Sequence, residues 1–447
     1  MNKSTAKRLR IITPFLRFFE TESASGVLLI IITLFALLVA NSPLFHSYRH
    51  FFETSIKFSY NGWEIEKTIH HWINDGLMTI FFLMVGLEIK REIAYGELSS
   101  IKKSLVPVVG AVGGMAAPAL IFYSLNSGLP TLKGWAIPTA TDIAFSLGVL
   151  SLMGSRVPYP LKIFLATLAI VDDLLAIIVI AVFYTDTIKM DALLIASILT
   201  GVLAFFSFIK IRNILPYSII GFFLWLFLLQ SGIHATLAGV VMALLLPIKS
   251  RINYDQFYSK SLKIVNNLKQ ITDSTESTKE IEYQFKSSIH SLERICEAVQ
   301  SPSERLEHSI HSWVAFFIIP VFAFANSGLP LSRETLLELG TPVSLGIMLG
   351  FLLGKPIGIV SFSYLVKFLK LGSISKEIHF LQFAGMSFLC GIGFTVAIFV
   401  SELAFKNSPE YIDNAKAAIL LGSTLATLVG ILFFKITPYK AVTPGLK

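Results

Sequence analysis

Apolar residues run along this chain in stretches of about 17–25 positions, the length of helix that crosses a hydrocarbon core. Twelve stretches fit, near 24–41, 71–89, 104–125, 134–153, 163–184, 190–209, 214–229, 232–248, 312–330, 341–366, 378–403 and 417–434. The seventh and eighth are joined only by Gln230 and Ser231. The pattern predicts an all-α polytopic membrane protein, with spans 1–8 in residues 1–248 and spans 9–12 in 312–447. Between them, 249–311 reads as a polar insert, where Ile281, Phe285, Ile289, Leu292, Ile295 and Val299 recur at helical spacing. Residues 42–70 mix aromatic and polar positions. Lys57–Tyr60 and Trp63–Ile65 either pair as two short strands around Asn61-Gly62 or belong to an interfacial loop with an aromatic belt.

Charge orients this pattern. With the N-terminus inside and twelve alternating spans, inside segments hold 28 Lys and Arg and outside segments hold 8. Both termini are therefore expected on the cytoplasmic side. The net charge of +8 is spread along one membrane face rather than gathered in a patch, which argues against nucleic acid. Nine acidic and nine basic residues balance within 249–311, so the insert is not a simple polybasic lipid anchor. The basic N-terminus leads directly into Gly26–Asn41, read as a retained first span. Cys296 and Cys390 lie in a polar and an apolar segment and give no disulfide framework.

Several charges stand where charge is expensive, at about 2.5–3.5 kcal/mol each at bilayer depth. They are Asp142, the consecutive pair Asp172-Asp173 and Lys355, with Asp75 near the outer end of the second span. Consecutive helix residues point about 100° apart, so Asp172 and Asp173 can address one cavity from two directions. Carboxylates supply the charged oxygen ligands a hard cation wants, and desolvation makes the same groups bind protons. One site that takes either ion is the core of an exchanger, provided it opens to each side in turn. Lys355 needs a buried partner, which the pair supplies, and Pro356 disturbs the helix after it.

Two spans are interrupted. Pro138 and neighbouring threonines break GWAIPTATDI, and Gly391 and Gly393 weaken LCGIGFT. Unwound backbone at membrane depth survives only where protein or a cavity covers it. Asp142 is placed to neutralise helix N-termini that face each other there, and Lys355 to offset C-terminal ends. Close helix packing is the plainer reading of the glycines. The third to fifth and tenth to twelfth spans each form a trio with the interrupted span in the middle. Thr141/Phe145 and Thr395/Phe399 share a spacing, a hint of an internal repeat.

TATDIAFSLGVL, AIVDDLLAIIVIAVFYT, SGIHATLAGV, LEHSIHSWVAFFIIPVFAFANSG, GKPIGI and CGIGFTVAIF, in this order over nearly the whole chain, resemble the NhaA family of sodium/proton antiporters. That family is itself a type example of the inverted-repeat, broken-helix architecture. The resemblance implies twelve helices in inverted repeats, with the fourth and eleventh unwound and crossing near the midplane. It implies electrogenic, pH-regulated exchange of Na+ or Li+ for more than one proton, with no cofactor, in a bacterial inner membrane. Asp173 then looks like the principal cation ligand, and Asp172 like the second carboxylate, bridged to Lys355 when no cation is bound. Asp142 and Thr141 resemble residues of the helix crossing. Glu88, Arg91, Glu92, His234, Glu307, His308 and His311 resemble cytoplasmic-side residues linked to pH activation. The 42–70 segment resembles a hairpin that pairs protomers in a homodimer. The chain departs from the family pattern in its long insert and in Glu304, where a basic residue is usual. An intramembrane aspartyl protease, the enzyme alternative, would need two acids sharing a proton from separate helices and leaves Lys355 and the breaks unexplained. A passive cation channel is the other rival.

Overall fold

Central spans of a helical membrane protein are apolar on every face, whereas peripheral ones show much of their surface to lipid. The helices order themselves in this way. The computed structural model describes residues 22–437 apart from 61, 62, 186, 187, 273–277 and 376. The basic start, the last ten residues, Lys376 and the Asn61-Gly62 turn, all used in the sequence reading, lie outside the described residues. Among the described residues, eight helices are long and apolar enough to cross a membrane. They are Ile69–Tyr95, Lys103–Asn126, Tyr159–Phe183, Met190–Phe208, Ile214–Ser231, Pro302–Asn326, Pro342–Phe368 and Pro409–Ile436. The most apolar window of Tyr159–Phe183 is 72% buried and that of Pro342–Phe368 61%, against 11% for Met190–Phe208. The two most enclosed helices, the fifth and tenth spans, are those that carry Asp172-Asp173 and Lys355.

Three bent pairs complete the set. Pro130–Thr139 with Ile143–Leu152 turns by 41°, and Phe380–Leu389 with Phe394–Ala404 by 44°; these are the fourth and eleventh spans. The third pair, Ala24–Ala40 with Phe45–Glu53, turns by 109°. Its second member is a short helix that buries Phe52 and donates a hydrogen bond from Tyr48 Oη to the Phe324 carbonyl at 2.5 Å. The eighth stretch contains a helix of only nine residues, Leu237–Leu245. It approaches the second span closely through glycines on both sides: a Cβ on Gly86 would sit 2.7 Å from Ala243 Cβ, and one on Gly239 would strike the backbone at Thr79. The seventh span ends at Gly232, whose φ of +88° is the left-handed cap that favours glycine.

The aromatic segment does form strands. β1 (Ser55–Tyr60) and β2 (Trp63–Thr68) pair antiparallel, Ser55 opposite Thr68 and Tyr60 opposite Trp63, so both strands run longer than the predicted pieces. Lys57 and Glu64 form an ion pair across the ladder. The insert is a helical hairpin, Tyr254–Thr272 against Thr278–Val299, of which the sequence reading named only the second helix. Its ends are clasped together. Arg251 N donates to the Ala298 carbonyl at 2.9 Å, and Ser303 N to the Pro247 carbonyl at 3.3 Å. Residues 302–311, grouped with the insert by polarity, are the opening turns of the ninth span, started by a capping box between Ser301 and Glu304.

Among the described residues, three widened π turns interrupt the spans: Trp72–Leu77, Val314–Ile318 and Gly350–Gly354. The last two end two residues before Pro320 and Pro356, which lack the N–H that a regular α turn would use. The Gly350–Gly354 turn ends immediately before Lys355, the first residue of Lys355–Phe368.

Candidate functional site

The fourth and eleventh spans open where their sequences break. Ala140 to Asp142 are extended between two helical halves, whereas Cys390 to Gly393 leave the helix as a tight turn, with Gly391 N and Ile392 N donating to the Phe388 and Leu389 carbonyls. Asp142 N donates to the Ile392 carbonyl at 2.6 Å, joining the two breaks backbone to backbone. The Asp142 carboxylate then serves both outgoing helices. Oδ1 accepts from Phe145 N at 3.0 Å, the N-cap bond of Ile143–Leu152. Oδ2 accepts from Thr395 N at 3.1 Å and Thr395 Oγ1 at 2.5 Å, in the first turn of Phe394–Ala404. One anion therefore faces two helix N-termini, where orphan N–H groups and the dipoles favour negative charge.

Gly391 and Gly393 lie in the eleventh-span break with the plainer role as well. Gly393 has an ordinary φ of −88°, so it is not held there by backbone conformation. A Cβ on Gly391 would strike the Phe351 carbonyl, and one on Gly393 the Phe351 ring. Pro138 stands within the 3-10 turns of Pro130–Thr139, packed against Gly350, and the extended break begins two residues beyond it.

Between these breaks and the fifth span lies an enclosed polar cluster. Lys355 is 0% exposed, Asp172 2%, Asp173 3% and Thr141 1%. Lys355 Nζ forms an ion pair with Asp172 Oδ2 and donates to Thr141 Oγ1 at 2.8 Å. Thr141 Oγ1 lies 2.6 Å from Asp172 Oδ2 and 2.8 Å from the Cys390 carbonyl. A hydroxyl has one hydrogen, so it reaches one of these acceptors at a time. Asp172 Oδ1 is buried with no hydrogen-bond partner, an exception to the rule that buried polar atoms are paired. Asp173 is also buried, and among the described residues no hydrogen bond to its carboxylate is seen. This leaves spare carboxylate oxygens beside a hydroxyl and a carbonyl, the hard donor set a small cation requires. Among the described residues no group of three or more His, Cys, Asp or Glu side chains is arranged to hold a resident metal.

The residues expected to respond to pH divide between two places. Arg91 forms an ion pair with Glu307 and lies 3.9 Å from Glu88 and 3.6 Å from Glu92, tying the second span to the ninth. His308 and His311 are exposed on the same helix as Glu307. His234 is not with them. Its Nε2 lies 2.6 Å from the Tyr184 carbonyl, in a cavity that also holds Asp75 and Glu402. The cause is topological: His234 follows the seventh span at the end opposite Lys210 and Arg212, whereas Arg91 lies sixteen residues down the second span from Asp75. The sequence reading gave Thr395 no role at Asp142, although its spacing match to Thr141 was the available signal.

The family described as Na+/H+ antiporter 1 matches residues 16–434. The chain is 44% identical over 425 residues to Na+/H+ antiporter NhaA 1 of Saccharophagus degradans, covering 95% of this chain and 91% of that protein. To Na+/H+ antiporter NhaA of Sulfurimonas denitrificans it is 44% identical over 432 residues, 95% and 96% of the two chains. The NhaA antiporter of Shewanella frigidimarina shows 42% over 415 residues, 92% and 94%. With broken fourth and eleventh spans stapled by one carboxylate and a Lys–Asp pair buried beside them, the chain belongs to the NhaA family of polytopic membrane Na+/H+ antiporters.

Proposed function

We propose that this antiporter is electrogenic, exporting Na+ or Li+ from the cytoplasm for more than one proton. Both ions compete for Asp172 and Asp173 in a site that opens to the two sides alternately. What chiefly supports this reading is the Lys355–Asp172 ion pair beside the unpartnered Asp172 Oδ1 and the buried Asp173. Asp173 is the principal cation ligand and Asp172 the second. An arriving cation takes over the charge balance of Asp172, and Lys355 is released from it. Thr141 turns its hydroxyl hydrogen to the Cys390 carbonyl and leaves its oxygen for the cation. Asp142 keeps the crossing intact throughout. Asp173 gives up one proton and the released Lys355 ammonium the other for one cation, so the exchange moves net charge and membrane potential assists the cycle.

Glu88, Arg91, Glu92, Glu307, His308 and His311 set the pH dependence on the cytoplasmic face, and His234 on the opposite one. Residues 249–301 stay on the cytoplasmic side of a single membrane unit. The β1–β2 hairpin pairs two protomers across a bacterial inner membrane, with both termini cytoplasmic. The cycle uses no cofactor, and the only bonds made or broken in it are those to the exchanged protons. The test is Na+-induced recovery of ΔpH in everted membrane vesicles, across pH, for the wild type and Asp173→Asn. Recovery that rises with pH and vanishes in the variant is expected. Full activity in the variant overturns the site, and no Na+ response at any pH overturns the function. ΔpH-dependent exchange also separates this reading from a passive channel.

A further inference from the structure

A second polar cluster lies away from the Asp172 site, at the end of the molecule that holds the β hairpin. Glu402 and Lys416 form an ion pair at 2.6 Å, with side chains only 16% and 12% exposed. His70 Nε2 lies 3.9 Å from Glu402 Oε1 and 2.9 Å from Asn326 Oδ1. Asn326 Nδ2 already donates to Asn74 Oδ1 at 2.9 Å and to the Phe322 carbonyl at 2.9 Å. Its Oδ1 is thus the acceptor, and His70 Nε2 carries a hydrogen. The His70 ring is neutral or charged according to Nδ1 alone.

Four spans meet in this network: the second through His70 and Asn74, the ninth through Asn326, the eleventh through Glu402 and the twelfth through Lys416. It borders a cavity of about 280 Å³. The charged and titratable groups that face it are Lys67, His71 and Asp75 from the second span and its approach, Glu402 and Lys406 from the eleventh, and His234 from the seventh–eighth junction. Glu402 follows Thr395 by seven residues on Phe394–Ala404, so the cavity wall stands roughly 10 Å along the helix that starts at Asp142.

We infer that His70 and Glu402 form an extracellular-pH switch: protonation of His70 from outside tightens the hold on the outer half of the eleventh span and makes the exit cavity more cationic, slowing Na+ passage. The inference rests on the alternating-access reading and on the proposed membrane orientation. Both consequences have the same sign. A charged His70 gives Glu402 a second cationic partner, on the second span in addition to the twelfth, and so opposes movement of Phe394–Ala404. It also adds positive charge to a cavity in which Asp75 and Glu402 otherwise offset lysines, and an outgoing cation is repelled.

The test uses the full chain in right-side-out membrane vesicles. Tracer sodium exchange is followed at equal Na+ on both sides, with the inner pH clamped and the outer pH varied across the imidazole range of about 5.5 to 7.5. Wild-type exchange should fall several-fold toward the acid end. His70→Asn should flatten the step in the imidazole range while keeping the fall due to proton competition at Asp172 and Asp173 and the wild-type dependence on inner pH, and Glu402→Gln should do the same. Outer-pH profiles of His70→Asn that superimpose on the wild type overturn the inference. If that variant does not reach the membrane, the same superposition for Glu402→Gln overturns it. Absence of wild-type exchange would instead sink the antiport mechanism, which an Asp173→Asn-sensitive signal keeps distinct.

Discussion

Lys355 is held by its charge partner and by nothing else that could replace it. It is fully enclosed, and its ammonium contacts Asp172 and Thr141. Removing one member of such a pair strands the other, at a cost of about 3–5 kcal/mol, whereas replacing both by apolar groups is often neutral. Lys355→Ala should therefore lower thermal stability in detergent by that order. A double change that also replaces Asp172 with Leu should recover most of the loss while exchange remains abolished. A double variant as unstable as the single one would show that Lys355 matters through packing of its stem instead. These residues were legible in the sequence because a charge in an apolar span has few cheap explanations. Thr395 was not, because a threonine in a helix costs little anywhere. The ion pair of Glu402 was hidden for a related reason: it stands near a span end, where acidic residues are ordinary.

At the scale of elements, the breaks were visible as proline and glycine, but their cause is shared with a neighbour. Phe351 of the tenth span fills the space that side chains at 391 and 393 would occupy. Gly393→Ala should cost about 1–3 kcal/mol through overpacking, and Phe351→Leu should restore part of it, read as unfolding temperature in a double-mutant cycle. Additive effects would mean the two sites do not share that space. The nine residues of Leu237–Leu245 show the limit of hydropathy: an apolar run predicts burial, while the glycine contacts at Gly86 and Gly239 decide how the short helix is accommodated. The π turns were beyond reach, since a widened turn leaves the apolar pattern almost unchanged. The first helix of the insert carries Tyr254, Phe257, Tyr258, Leu262, Val265, Leu268 and Ile271 at the same three- and four-residue spacing as its partner, so it was equally legible and the sequence reading passed it over.

For the whole molecule, the two-stranded β hairpin stands out by its isolation. Two strands alone are marginal in water, and among the described residues no further strand pairs with the outer edges of β1 and β2. A second copy of the chain would pair with them. Under the proposed hairpin-mediated dimer, deleting 55–68 should convert the detergent-solubilised protein from dimer to monomer by light scattering while leaving Na+-dependent exchange measurable. A deletion variant that stays dimeric would place the interface elsewhere.

The clasped insert has a consequence for work on the protein itself. Its helices leave and rejoin the membrane unit at neighbouring points, with Arg251 and Ala298 bonded at the base and Pro247 and Ser303 bonded just below them. A segment anchored in this way is a natural grafting point. Exchanging 254–299 for another rigid helical pair, or for a fluorescent or electron-dense reporter with closely spaced ends, should leave the twelve-span unit folded. The antiporter thus carries a built-in handle by which small membrane particles can be enlarged, oriented and watched as they turn over.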